Sequence, residues 1–294
     1  VNHPHLSLIW NEIDIRVSSV TGLKFQSLYK RSVGGGCINQ GYVIGDGERT
    51  YFVKLNKVDE VAMFEAESMG LQQILDTATI RVPRPLCWGT SGNFSYIVLE
   101  WLEMGGNSQK CWTQMGYKLA LMHEVTSQNG FGWNIQNTIG STPQINTWTS
   151  DWGEFFLRHR LGYQFQLAQK RGGSFPLQAK LFAAIPKLLA GHQVQPSLVH
   201  GDLWGGNVGF TSGEPVIFDP ATYFGDREVD LAMTELFGGF PDAFYQGYNQ
   251  VFPVDRGYER RKILYNLYHI LNHFNLFGGG YAAQSNRMIE EILM

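Results

Sequence analysis

The apolar positions of the chain change their period partway along. Leu6, Ile9, Trp10, Ile13 and Val17 fall three and four residues apart, which places them on one face of a helix over residues 6–20. From Phe25 the pattern turns toward strands. Residues 25–33, 41–44 and 50–55 are rich in β-branched and aromatic side chains, and Gly34-Gly35-Gly36 and Asp46-Gly47 separate them as turns. Val61, Phe64, Leu71 and Ile74 restore the helical period over 60–75, and Pro83 and Pro85 close that region. Two more strands follow at 86–90 and 94–101, joined through Ser91-Gly92-Asn93. Beyond Gly105-Gly106-Asn107-Ser108 the pattern is mostly helical: 112–124, 151–170, 177–190 with an interruption at Pro186, 228–237, 241–251 and 257–276. Residues 201–219 read as a loop and a hairpin. There is no internal repeat and no low-complexity tract.

These elements predict an α+β chain with two lobes: a small β-rich lobe over 1–101, a hinge over 102–106, and a larger α-rich lobe over 107–294. At 294 residues both lobes can hold a core. A hydrophobic fraction of 44% and a charged fraction of 17% suit a folded chain. The net charge of −3 comes without a basic cluster, so neither nucleic acid nor a membrane surface is an expected partner. No apolar run approaches the ~20 residues that span a bilayer. The first residues do not show the charged-then-apolar pattern of a signal peptide. Cys37, Cys87 and Cys111 are scattered, with neither metal-ligand spacing nor a disulfide framework, and this points to a reducing cytoplasm.

The candidate chemistry lies in an ordered set of polar residues. Gly34, Gly35 and Gly36 allow a backbone to approach phosphates closely. No Gly-Lys-Ser/Thr follows, and Asn39 stands where a dinucleotide fingerprint would have its third glycine, so neither of those loops is present. Lys54 is a charge within Tyr51-Phe52-Val53-Lys54-Leu55, a strand whose other residues suit burial. A buried ammonium needs a carboxylate, and the next helix offers Glu67 and, on another face, Glu65. An adenine would meet the backbone of the linker, at the Glu100 carbonyl and the Leu102 amide. His200-Gly201-Asp202-Leu203-Trp204-Gly205-Gly206-Asn207, followed by Phe218-Asp219-Pro220, supplies three oxygen-bearing groups. Phosphoryl transfer from Mg-ATP requires such a set: Asp202 to take a hydroxyl proton, and Asn207 and Asp219 as hard ligands for magnesium. A carboxylate of ordinary acidity at Asp202 would be ionised at neutral pH. His200 ends an apolar strand and reads as a structural core histidine. Asp230 caps a helix or holds the backbone of the loop. Trp204 either stacks on a sugar-like substrate or closes the packing of the loop. His269 and His273, four apart on a helix, lack the glutamate of a zinc protease motif and line a packed or substrate-facing side. Cys37 lies in the glycine-rich loop, where oxidation would obstruct ATP.

Taken together, these residues resemble the protein-kinase-like fold in its aminoglycoside and choline kinase branch, which the His200-Gly201-Asp202 form marks. The chain is more closely similar to the fructosamine kinase (ketosamine-3-kinase) family. The resemblance is carried by Gly34–Asn39, Leu119–His123, Phe131-Gly132-Trp133, His200–Asn207, Val216–Ala221, Asp226–Ala232, Phe237–Phe240, Tyr265–His269 and Leu271-Asn272-His273. It implies ATP-dependent phosphorylation of the sugar 3-hydroxyl of a ketosamine, small or protein-bound. The phosphorylated adduct then decomposes and frees the amine. It further implies that Lys54 and Glu67 form the ion pair, that Asp202 is the base, and that Asn207 and Asp219 hold Mg2+. Gly34, Gly35, Gly36, Cys37, Asn39, Lys54, Glu100 and Leu102 would contact ATP, and Trp204, His269 and His273 the substrate. A kinase for another small alcohol, such as an aminoglycoside or a choline-like compound, and a non-catalytic nucleotide-binding scaffold are the alternatives.

Overall fold

A computed structural model describes residues 4–34, 36 and 38–294. Gly35 and Cys37, both expected in the phosphate-cradling loop, lie outside the described residues. The chain begins with helix α1 (Pro4–Thr21) and continues into a five-stranded antiparallel sheet. Its strands are β1 (Tyr29–Val33), β2 (Gln40–Gly45), β3 (Thr50–Lys57), β4 (Pro85–Ser91) and β5 (Phe94–Glu100), in the order β1-β2-β3-β5-β4. Helix α2 (Val61–Asp76) connects β3 to β4.

Alternation along β3 and β5 decides which side chain faces which helix. Val53, Leu55, Tyr96 and Val98 pack with Ile9, Ile13 and Val17 of α1, while Ile97 and Leu99 join Phe64, Leu71 and Ile74 of α2. Burial of Ile9 and of Ile13 each contributes roughly 1.5–3 kcal/mol to holding α1 on the sheet. Lys54 is the register partner of Ile97 and therefore emerges on the α2 side. The strand expected from residue 25 starts only at Tyr29. Phe25 is a core residue instead, with its N–H on Ser18 Oγ at 2.8 Å, so its apolar character reflects packing against α1 rather than strand pairing.

Residues 101–108 carry no helix or strand, but they are tethered: the Gly105 N–H donates to the Phe210 carbonyl at 2.7 Å. Ser108 then caps helix α3 (Gln109–His123) by accepting from the Cys111 N–H. A short hairpin, β6 (Asn137–Ile139) with β7 (Thr142–Gln144), follows, and the sequence pattern did not predict it. The helix expected over 151–170 is continuous, with α4 (Trp152–Phe155) and α5 (Tyr163–Lys170) separated by a π-helical stretch over Phe156–Gly162. Helix α6 (Gln178–Leu188) runs through Pro186 rather than breaking there, and ends two residues later. Strand β8 (Ser197–Val199) pairs with β11 (Tyr223–Gly225), and between them lies the hairpin of β9 (Val208–Thr211) and β10 (Glu214–Ile217). Helices α7 (Glu228–Thr234), α8 (Asp242–Asn249), α9 (Tyr258–Phe277) and α10 (Tyr281–Leu293) complete the chain. The last of these was also unforeseen; Ser285, Ile289 and Ile292 form its buried face. Among the described residues no helix is long and apolar enough to cross a membrane.

A charged cluster is buried near the start of α7. His192 Nε2 lies 2.7 Å from Asp226 Oδ2 and 3.0 Å from Glu228 Oε2, and the Arg261 Nε–H donates to Glu228 Oε1 at 2.9 Å. Burial opposes protonation of His192, but the hydrogen bonds to Asp226 and Glu228 outweigh it and raise the pKa from 6.5 to about 9. Its stabilising contribution is thus complete below the unfolded-state value near 6.5 and is lost as pH rises through about 9. The urea midpoint of the protein should fall between those limits, and His192→Gln should flatten the fall. An unchanged slope in the variant would remove His192 as its source.

Candidate active site

The site is assembled around one ammonium group. Lys54 Nζ donates to Glu67 Oε1 and to Asp219 Oδ1, each at 2.5 Å. It thereby joins β3, α2 and the segment after β10. Burial alone would depress the pKa of Lys54, but the charges of Asp219 and then Glu67 overcome this and raise it, so the side chain stays charged. Glu67 is the partner because the α2 face that carries it turns toward the sheet. Glu65, the alternative, is not in the ion pair.

The His200–Asn207 loop follows β8, and its backbone is held from beneath. Asp230 on α7 accepts from the His200 N–H at 2.8 Å and the Gly201 N–H at 2.9 Å. The same carboxylate faces His123 Nε2 at 2.8 Å, and His123 Nδ1 faces the Tyr248 hydroxyl at 2.7 Å. Asp230 is therefore a brace for the loop. Burial lowers the His200 pKa and keeps the ring neutral. Its Nε2–H donates to the Phe218 carbonyl at 2.7 Å, and its Nδ1 accepts from the Asp202 N–H at 3.0 Å. One imidazole thus joins the two segments that bear the candidate carboxylates. Gly201 has φ +86°, and a Cβ there would stand 2.1 Å from the Ala221 carbonyl oxygen, so no larger residue fits without movement of one segment.

Asn207 Nδ2 donates to the Asp202 carbonyl at 2.8 Å and to Asp202 Oδ2 at 3.2 Å. Among the described residues Asn207 Oδ1 and Asp219 Oδ2 have no hydrogen-bond partner, and both are hard oxygens of the type magnesium takes. Asp202 departs from the ordinary acidity expected of it. Burial first, and then the charge of Asp219, push its pKa well above the usual carboxylate range, against the hydrogen bond from Asn207. The shift makes the ionised form a stronger proton acceptor.

The residues expected around the nucleotide lie toward opposite ends of the strands: the glycine-rich segment just beyond the row Val33-Gly41-Lys54-Ile97, and Glu100 opposite Tyr51. Gly34 follows β1, and Asn39 Oδ1 accepts from Asn56 Nδ2 at 2.7 Å, fixing the end of the glycine-rich segment to β3. Glu100 ends β5, with its carboxylate on the Arg84 N–H at 3.3 Å, and Leu102 is buried two residues further on.

Trp204 is 40% exposed and folds back over Gly206, where a Cβ would meet the indole at 2.2 Å. This geometry explains the glycine. Phe237 meets the indole edge-on at 6.2 Å and stands 5.2 Å from the ring of His273, so Trp204 and His273 belong to one aromatic surface. Phe237 had no role assigned from the sequence, where it stood only as the first residue of the Phe237–Phe240 stretch. His269 lies one turn back on α9, buried, with its pKa lowered to about 3 by burial and by His273. The His273 Nδ1–H donates to the His269 carbonyl at 2.7 Å. Among the described residues neither histidine belongs to a group of three metal-ligating side chains.

Comparison with known proteins bears on the family and the fold. The chain matches the family described as fructosamine kinase over residues 9–294. It is 56% identical to a probable ketoamine kinase of Synechocystis over 285 residues, 97% of each chain. It is 45% identical to a chloroplastic protein-ribulosamine 3-kinase of Arabidopsis thaliana, covering 89% of this chain and 82% of that one. The crystal structure of a putative fructosamine-3-kinase from Haemophilus somnus superposes with a TM-score of 0.93 at 30% identity, covering 99% of this chain and 100% of that one. The α+β, protein-kinase-like fold expected from the sequence is the fold observed, and the chain belongs to the fructosamine kinase family.

Proposed function

We propose that the chain is an ATP-dependent kinase that phosphorylates the 3-hydroxyl of ketosamines, small or protein-bound, as a step in deglycation. The observation that carries this reading is the buried Lys54 between Glu67 and Asp219, beside a loop that presents Asp202 and Asn207. The names of the relatives add the substrate class: ketoamine in one, ribulosamine with position 3 in the other. The nucleotide binds between the lobes 1–101 and 107–294, across the hinge 102–106. Its adenine meets the Glu100 carbonyl and the Leu102 amide, and its phosphates lie under Gly34–Asn39, Gly35 and Cys37 included.

Lys54 holds the phosphates by charge, and Glu67 keeps it from folding back toward solvent. Asp202 accepts the proton as the sugar oxygen forms its bond to the γ-phosphorus and the bond to the β-phosphate oxygen breaks, releasing ADP. Mg2+ held by Asn207 and Asp219 would neutralise charge developing on the phosphate oxygens. Trp204 and His273 flank the sugar from the aromatic surface, with the neutral His269 beneath. The free thiols of Cys87 and Cys111 suit a cytoplasmic setting.

Two variants test the roles. Asp202→Asn should still bind ATP and lose roughly 10²–10⁴-fold in transfer to a ribulosamine or fructosamine. Wild-type turnover in that variant would exclude Asp202 as the base. Lys54→Met should lower kcat/KM for ATP by roughly 10²-fold or more while the urea midpoint stays measurable. ADP release that ketosamines do not stimulate, in the wild-type protein, would favour the scaffold reading. Stimulation by an aminoglycoside or choline alone would favour another alcohol.

A further inference from the structure

Asp219 has a φ of +52°, in the left-handed region, and is followed by Pro220. A residue other than glycine stays in that region only when its surroundings hold it there, at a cost of order 1–3 kcal/mol. On the upstream side the hold is plain. The Phe218 N–H donates to the Asn207 carbonyl at 3.0 Å, and the Phe218 carbonyl accepts from His200. On the downstream side the Ala221 N–H donates to the His200 carbonyl at 2.8 Å, and the next two carbonyls accept from side chains of the β6–β7 hairpin. Gln144 Nε2 donates to the Ala221 carbonyl at 3.0 Å, and Asn137 Nδ2 donates to the Thr222 carbonyl at 2.8 Å.

Asn137 and Gln144 are register partners in the hairpin and are joined side chain to side chain, Gln144 Nε2 to Asn137 Oδ1 at 3.0 Å. Each is fixed again from behind. The Tyr268 hydroxyl donates to Gln144 Oε1 at 2.7 Å, and Asn146 Nδ2 donates to Asn137 Oδ1 at 2.7 Å. Asn146 in turn accepts from Arg160 Nη2 at 2.7 Å. The Arg160 guanidinium is fully buried against the Tyr223 ring, 4.1 Å from its centroid, and donates to the Ile145 carbonyl. Buried polar groups arranged this way cost desolvation unless every partner is met, and apolar residues would fill the same volume more cheaply. What the amides supply, and apolar residues would not, is direction: two donors aimed at the carbonyls two and three residues past Asp219. The turn of the same hairpin comes close to Leu276 and to Ile38, whose Cδ1 would stand 3.6 Å from a Cβ on Gly140.

We propose that Asn137 and Gln144 are positioning residues for Asp219, and that the β6–β7 hairpin sets the affinity of the site for the metal of the metal–nucleotide complex. The proposal rests on the kinase reading above. Groups that orient a metal's ligands from behind typically change metal affinity by roughly 10–100-fold when removed. Neither side chain touches the nucleotide region, so their loss separates metal-dependent from metal-independent binding.

The test is the affinity of a fluorescent ATP analogue for the full chain, measured with saturating Mg2+ and again with EDTA. In Gln144→Met, which keeps the side-chain shape and removes the donor, the gain in affinity conferred by Mg2+ should fall about tenfold. Affinity in EDTA should stay within about twofold of wild type. The Mg2+ concentration for half-maximal ATP binding should rise in parallel. Should Gln144→Met fail to fold, Tyr268→Phe leaves the amide in place but frees its other end, and a threefold or greater loss of the same gain is expected. A folded variant that binds with the full Mg2+ gain overturns the proposal, as does equal weakening with and without metal. A wild-type protein whose nucleotide affinity is indifferent to Mg2+ overturns the kinase reading itself.

Discussion

An ammonium group buried between two carboxylates sets the terms for the whole molecule. Removing Lys54 from water is costly, and attraction to Glu67 and Asp219 offsets that cost only while all three are held within hydrogen-bonding distance. Each carboxylate comes from a different element, one on α2 and one on the segment after β10. The lysine therefore requires the sheet, the helix behind it and the larger lobe to meet at a single point. The rest of the fold keeps that meeting in register. Alternation in β3 sends Val53 and Leu55 toward α1 and Lys54 toward α2, so the core of the small lobe and the charge of the site are two faces of the same strand.

Support for the other half of the site comes from the interior of the larger lobe. Asp230 takes the two backbone donors of His200 and Gly201, and His123 and Tyr248 hold Asp230 from behind. Arg227 reaches the same Tyr248 hydroxyl and the Phe252 and Pro253 carbonyls. A short loop that carries function is thereby as well anchored as a strand, although the strands that flank it, β8 and β9, have only three and four residues. The strong upward shift of Asp202 follows from the same enclosure: the groups that fix the loop also exclude the water that would stabilise a carboxylate.

How much of this was legible depended on how local each signal is. The order of helices and strands, the glycine-rich turn, Lys54, and the spacing of Asp202, Asn207 and Asp219 are written in neighbouring residues, and the structure brings those three polar groups and the lysine together. Glu67 over Glu65 was a question of helical phase, and α2 settled it. What local pattern could not show are contacts made by residues far apart. Asn137 and Gln144 look like loop amides until the Ala221 and Thr222 carbonyls are placed opposite them. His192 gives no hint of a raised pKa without Asp226 and Glu228. Pro186 misled because a proline weakens a helix without fixing where it ends, and here the helix continues to Leu188. Phe25 misled in the opposite sense, since an aromatic suits a strand and a helix-facing core equally well.

The tether at Gly105 bears on the mechanics of the cleft. Eight residues separate β5 from α3, which suggests a slack connection. Yet the Gly105 N–H is pinned to Phe210 on β9, and the Trp101 ring lies 6.0 Å from Phe52 on β3. The first residue of the connection travels with the sheet and the fifth with the helices. A second backbone tie lies behind it, where the Ile217 N–H donates to the Arg81 carbonyl at 3.0 Å. The connection is therefore less a loose strap than a seam, sewn at both ends to the parts it joins.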